Sequence, residues 1–146
     1  MGMLPDTGID VENNLDMCFG CGVNNPIGLK LKFSWDNKFA SADYIPLPEH
    51  QGWNNVVHGG IVCTLLDETM SYPPFFEGLR SVTASIDVKL KKPVMVGEKY
   101  RLCGWITRNT RRLLETAAEV RHEDGTLVAE GKATMYIISR HTVEKV

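Results

Sequence analysis

The sequence predicts an α+β domain in which one long helix lies against a meandering antiparallel sheet. Three observations carry this. Residues 59–72 repeat apolar side chains at helical spacing. Val82 to Leu90 alternates strictly, with Val82, Ala84, Ile86, Val88 and Leu90 on one side and Thr83, Ser85, Asp87 and Lys89 on the other. After it, 98–108, 112–122 and 126–138 read as three further strands, joined by turns at Asn109-Thr110 and Glu123-Asp124-Gly125.

Taken in order, residues 1–17 form a polar N-terminal segment and 18–140 a single domain. Gly20, Gly22, Asn24, Asn25 and Pro26 make 17–28 a loop. Leu29, Leu31 and Phe33 alternate with Lys30 and Lys32, which predicts a strand. A turn at Trp35-Asp36-Asn37-Lys38 leads to a second strand over 39–45. Pro46, Pro48 and Gly52 make 46–57 a long loop. At 100° per residue, Ile61, Val62, Cys63, Leu65, Leu66, Thr69 and Met70 fall on one broad helical arc. Gly60, Thr64, Asp67, Glu68 and Ser71 fall on the other, and Pro73-Pro74 is expected to stop the helix. One helix cannot cover six strands, and sheet edges are left over. Continuing the sheet through a partner chain resolves both.

The chain has 146 residues, 43% hydrophobic and 23% charged, with net charge −2. That suits one soluble domain and offers no basic block for general nucleic-acid binding. No apolar run approaches the roughly 18–20 residues of a membrane span. The opening MGMLPDTGIDVENN lacks the character of a secretory signal, and Asp6 breaks the myristoylation pattern, so a cytoplasmic location is expected. Cys18, Cys21, Cys63 and Cys103 are then expected as reduced thiols. Cys18-Phe-Gly-Cys21 has metal-knuckle or redox spacing. A zinc site needs about four ligands and no second CxxC or HxxxH follows. The reading taken is a packed turn with no metal.

His58-Gly59-Gly60 at the helix start offers bare backbone N–H groups at its positive end. Such donors can hold a carbonyl oxygen that becomes negative during reaction. A carboxylate aimed at the same volume attacks, or activates water. Asp67 lies seven residues beyond Gly60, about 10 Å along the axis. A site using both therefore takes the glycine end from one chain and the acid from its partner. On pattern alone, Asp67 and Glu68 read first as the solvated face of an amphipathic helix. The small neighbours Gly60, Thr64 and Ser71 favour close approach by a ligand or another chain instead.

With an acid nine residues after its His, this turn resembles that of the hotdog-fold acyl-CoA thioesterases. The resemblance is closest to the phenylacetate-pathway and 4-hydroxybenzoyl-CoA branch. It covers roughly residues 18–138, including Cys18-Phe-Gly-Cys-Gly22, Asn25-Pro26-x-Gly28-Leu29 and Lys91-Lys92-Pro93-Val94-x-x-Gly97. It implies a hotdog fold: a central helix wrapped by a curved antiparallel sheet of five to six strands. It also implies paired subunits, a dimer or a dimer of dimers, with shared sites. Asp67 would be the catalytic carboxylate, as base or nucleophile, and the Gly59 and Gly60 amides would polarise the thioester carbonyl. His58 would place the turn beside the substrate. Relatives carry Asn or Gln six residues before the His. Here that position is Gly52, which makes Gln51, or Asn55 later in the loop, the substrate-contact candidate. Counting back from Pro93, Thr83 matches a residue that positions water. Glu68 is a second acid beside the substrate, but its helical angle differs by 100° from that of Asp67, which is favoured. Arg108 and Arg111, with Arg112 and Lys91-Lys92, are candidates for the phosphates of coenzyme A. Tyr72, Phe75, Phe76 and Trp53 are pocket walls or a packed corner. The implied activity is acyl-CoA hydrolysis with no metal and no cofactor. A non-catalytic acyl-binding module and a hotdog dehydratase are the alternatives.

Overall fold

The computed structural model describes residues 8–10 and 15–140. Its elements are β1 (Ser34–Trp35), β2 (Ala40–Tyr44), α1 (Gly59–Phe76), β3 (Leu79–Leu90), β4 (Tyr100–Asn109), β5 (Leu113–His122) and β6 (Leu127–Arg140). The six strands form one sheet in the order β1-β2-β4-β5-β6-β3, antiparallel throughout. Register shifts interrupt the β3–β6, β4–β5 and β5–β6 pairings. Each adds bend and twist, and the curved sheet wraps α1, which touches β2 through β6. This is the hotdog layout. Leu65, Leu66 and Met70 of α1 are fully buried against Leu102, Leu114, Val120, Met135 and Ile137.

Three local expectations are corrected. Residues 29–33 do not form a strand; only Ser34 and Trp35 pair with β2. Leu29 and Leu31 are buried as the alternation requires, but their N–H groups bond Phe19 O (2.8 Å) and Gly20 O (3.0 Å) in the preceding loop. Lys30, at φ 55°, breaks the extended run. Second, α1 does not stop at Pro73-Pro74 but carries both inside it and ends at Phe76. Pro73 has no N–H for Thr69 O. That carbonyl lies hard against Gly104 of β4, where no Cβ would fit. Glu77 N–H then bonds Pro73 O and Pro74 O (both 3.1 Å), and Gly78, at φ 80°, turns the chain into β3. Third, the alternation of β3 slips at a bulge between Thr83 and Ser85.

The boundary expected after residue 17 falls in a segment whose residues 1–7 and 11–14 lie outside the described residues. Leu15, Asp16 and Met17 are tied to the following loop by Cys18 N–H to Leu15 O (2.9 Å), Asn24 N–H to Asp16 O (2.9 Å) and Asn25 Nδ2 to Met17 O (3.0 Å). The aromatic residues form a packed corner at the end of the helix, where Phe33 stacks on Tyr72 (4.3 Å) and Trp35 on Phe76 (5.4 Å).

Candidate functional site

The loop before α1 is built around His50, which sequence reasoning did not single out. His50 Nδ1 accepts the Leu47 N–H (3.1 Å) and meets the Tyr44 hydroxyl (2.7 Å). Its carbonyl accepts the His58 N–H (2.9 Å). A ring nitrogen that accepts a backbone N–H belongs to a neutral imidazole, and burial lowers the His50 pKa in the same sense. The unfolded chain therefore takes up a proton near the ordinary value of about 6.5 that folded His50 resists. Stability from this group is present above that value and falls as pH drops below it. The melting temperature is expected to fall between about pH 7 and 5, and the slope to flatten in His50→Gln.

His58 is the N-cap of α1, and its Nδ1 accepts the Gly60 N–H (2.9 Å). The expectation of two free glycine amides is thereby corrected: Gly60 is spent on the cap. Among the described residues, the Gly59 N–H has no such partner. The first turn carries no acidic side chain to offset its positive end. A concavity of about 400 Å³ opens there, lined by Gly52, Trp53, Val57, His58 and Gly59. An adjoining one shares Trp53, Val57 and Gly59 and adds Leu90, Lys91 and Lys92. Trp53 is 86% exposed and stands at both.

Gly52 packs on His58, where a Cβ would meet its Cα at 3.2 Å. Gln51 turns instead to its own loop: its Oε1 accepts the Asn55 N–H (2.7 Å), with Asn55 at φ 64°. Both residues are exposed. Gln51 also borders a shallow groove with His58, Gly60 and Thr64.

Asp67 sits two turns further on, half-buried. Because β3 returns alongside the helix, Thr83 reaches it, and the Thr83 hydroxyl donates to Asp67 Oδ1 (2.8 Å). Among the described residues the other carboxylate oxygen accepts no hydrogen bond. Thr83 is exposed on a strand that forms one edge of the sheet. The structure thus brings Asp67 and Thr83 together, and separately Gly59, His58 and Lys91-Lys92.

Glu68 faces elsewhere, as the 100° offset requires. Its carboxyl lies under the 18–22 loop, 3.6 Å from Cys18 Sγ, with Gly20 directly against it. Burial raises its pKa and pushes the Cys21 thiol up to about 12. The donor atoms of Cys18, Cys21 and Glu68 lie within 4.8 Å of one another. The CxxC spacing flags the two thiols, but no spacing brings in Glu68, which lies 50 residues from Cys18.

Arg108 and Arg111 are exposed around the β4–β5 turn, where Arg140 Nη2 donates to Thr110 O (3.1 Å) and Arg111 O (2.9 Å). Register runs Thr83–Met135–Leu114–Asn109 across the sheet. The turn is therefore three strands, about 14 Å, from Thr83.

Residues 54–129 match the thioesterase superfamily. An uncharacterized protein of Schizosaccharomyces pombe is 28% identical over 83 residues, which are 56% of this chain and 47% of that protein. The chain thus spans about half the length of that relative. A Streptococcus mutans protein bound to acetyl CoA superposes with TM-score 0.72 at 17% identity, covering 77% of this chain and 91% of the other. The PaaI protein of the Escherichia coli phenylacetic acid degradation operon gives 0.73 at 17% identity, covering 79% and 84%. These two likenesses establish the fold. The family match itself runs through the His58-Gly59-Gly60 turn, Asp67 and Thr83, and on it the chain belongs to the thioesterase superfamily.

Proposed function

We propose that the protein hydrolyses acyl-CoA thioesters to a carboxylic acid and free thiol, with Asp67 as the reacting carboxylate in a site shared by two copies of the chain. The observation that carries the reading is the Asp67–Thr83 hydrogen bond beside an open sheet edge. Thr83 holds Oδ1 and fixes the carboxylate rotamer, leaving Oδ2 to take a proton from water or to attack the carbonyl carbon itself. If Asp67 takes a proton from water, the hydroxide adds to the carbonyl, the C–S bond breaks to give the acid, and the thiolate leaves with the proton Asp67 holds. If Asp67 itself adds, the C–S bond breaks to a mixed anhydride and the thiolate takes a proton from solvent; water then hydrolyses the anhydride to release the acid and restore Asp67. The Gly59 N–H, at the positive end of α1, stabilises the carbonyl oxygen as it gains charge.

Within one chain the Gly59 N–H and Asp67 are about 12 Å apart along the helix. Pairing at β3 supplies the second half of each site. That strand exposes Ile86 and Leu90 (42% and 52%) and has no neighbour on its outer side among the described residues. Lys91 and Lys92, beside Gly59, suit the phosphates of the coenzyme. Arg108 and Arg111 contribute from the β4–β5 turn. The acetyl CoA bound to the Streptococcus mutans structure supports the substrate class.

The test is thiol release from short, medium and aryl acyl-CoAs, with Thr83→Val beside the wild type. Wild type is expected to turn over at least one. Loss of a hydrogen bond to a charged group, about 1.5 kcal/mol, lowers kcat about tenfold in the variant. Tight binding of a coenzyme A ester with no turnover of any thioester would favour the binding-module reading.

A further inference from the structure

We propose that Cys18, Cys21 and Glu68 form a site for one thiophilic divalent ion of the zinc type, with water as the fourth ligand. The three donor atoms lie within 4.8 Å of one another. A tetrahedral ion with bonds of about 2.3 Å to sulfur and 2.0 Å to oxygen holds neighbouring ligands about 3.5–3.8 Å apart. Cys18 Sγ and Glu68 Oε1 are already 3.6 Å apart.

The loop is shaped for the purpose. Gly22 N–H bonds Cys18 O (2.8 Å), which folds the two thiols toward one side. A Cβ at Gly22 would collide with the backbone of Asp16 and Cys18, and one at Gly20 with the Glu68 carboxyl. The glycine at 22 keeps the loop closed on its own backbone, and the glycine at 20 leaves the Glu68 carboxyl in its present place beside the thiols. The charge arrangement points the same way. The ion pairs among the described residues all lie elsewhere. Glu68 has Asp67 beside it, the two thiols against it and the Tyr72 phenol nearby. A dication supplies the positive charge that this cluster lacks. Two thiolates and one carboxylate select zinc over magnesium, calcium or manganese. On binding, both thiols release their protons to solvent and Glu68 coordinates as the carboxylate. The ion then staples the 18–22 loop to α1 one residue after Asp67.

The experiment measures metal rather than catalysis, so it stands or falls apart from the thioesterase reading. Zinc content is determined by elemental mass spectrometry on protein purified without chelator, and the stripped protein is titrated with cobalt(II). One ion per chain is expected, with a sulfur-to-cobalt charge-transfer band and the visible bands of tetrahedral cobalt. Cys18→Ser/Cys21→Ser abolishes both signals, and Glu68→Gln weakens cobalt binding about tenfold or more. Single Cys21→Ser, checked by circular dichroism, serves if the double variant does not fold, and it loses most of the charge-transfer intensity. The proposal is overturned by wild-type protein that shows neither stoichiometric zinc nor the charge-transfer band. Unchanged cobalt binding in the cysteine variants, or an intact mass lower by two hydrogens that reports a Cys18–Cys21 disulfide, overturns it as well.

Discussion

Asp67→Asn is expected to lower kcat for thioester hydrolysis at least about a hundredfold while leaving the melting temperature near that of wild type. The two effects separate because the amide keeps the shape of the side chain. Its carbonyl oxygen still accepts the Thr83 hydroxyl that Asp67 Oδ1 accepts now, so the contact between α1 and β3 survives. What disappears is the charge and the basic oxygen. Gly59→Pro is the complementary change. Proline is favoured at the first position of a helix, and His58 at ψ 134° has the extended backbone a following proline prefers. A Cβ at Gly59 makes only an ordinary contact with Leu90, at 3.5 Å. The substitution therefore deletes one N–H and little else, and one oxyanion donor is worth roughly 10²–10³ in kcat.

Together the two variants test whether the site is shared. In an equal mixture refolded together, half of the dimers carry one of each chain, and one of their two sites combines an intact glycine end with an intact carboxylate. About a quarter of the wild-type rate returns. No recovery means that each chain holds its whole site, which rejects the shared arrangement. Wild-type rates in Asp67→Asn alone reject the carboxylate.

The largest expected effect on stability is at Gly104. A Cβ there would overlap the Thr69 carbonyl oxygen and press its Cγ2 at 3.0 Å. The obstacle is helix backbone, which cannot rotate aside as a side chain can. Gly104→Ala must push α1 away from β4 and is expected to cost about 3 kcal/mol, the upper end for overpacking. Gly131→Ala is the control, because its Cβ would meet first the mobile Cε of Met70, at 3.2 Å. Denaturant unfolding of the two variants should separate them by well over about 1 kcal/mol. Equal stabilities would mean that the helix has slack over β4.

Sequence pattern made the long helix, its glycine start and the late antiparallel strands legible, because those segments obey one period over many residues. The failures have local causes. Leu29, Leu31 and Phe33 alternate as a strand would, but alternation reports burial and not hydrogen bonding, and Lys30 in the left-handed region ends the extended run. Pro73-Pro74 reads as a stop, yet the helix tolerates both because Gly104 leaves room for the displaced Thr69 carbonyl. Thr83 comes from the family resemblance, as a residue that positions water; its bond to Asp67 follows from the turn at Gly78, which lays β3 along the helix, and no spacing announces it. The cap on Gly60 and the enclosure of Glu68 by Cys18 and Cys21 were not reachable. Both depend on side-chain directions that spacing does not encode.

The chain has three tryptophans in unlike surroundings. Trp35 stacks on Phe76 and Trp105 meets Phe39 edge-on at 5.9 Å, while Trp53 is almost wholly in solvent at the mouth of the concavities around Gly59. Emission from the first two is expected to follow the integrity of the fold, and the red-shifted emission of solvent-exposed Trp53 to follow its own surroundings at the helix start. On the proposed reading, titration with a coenzyme A ester is expected to shift the Trp53 component and leave the other two unchanged, which reads binding without label and without turnover.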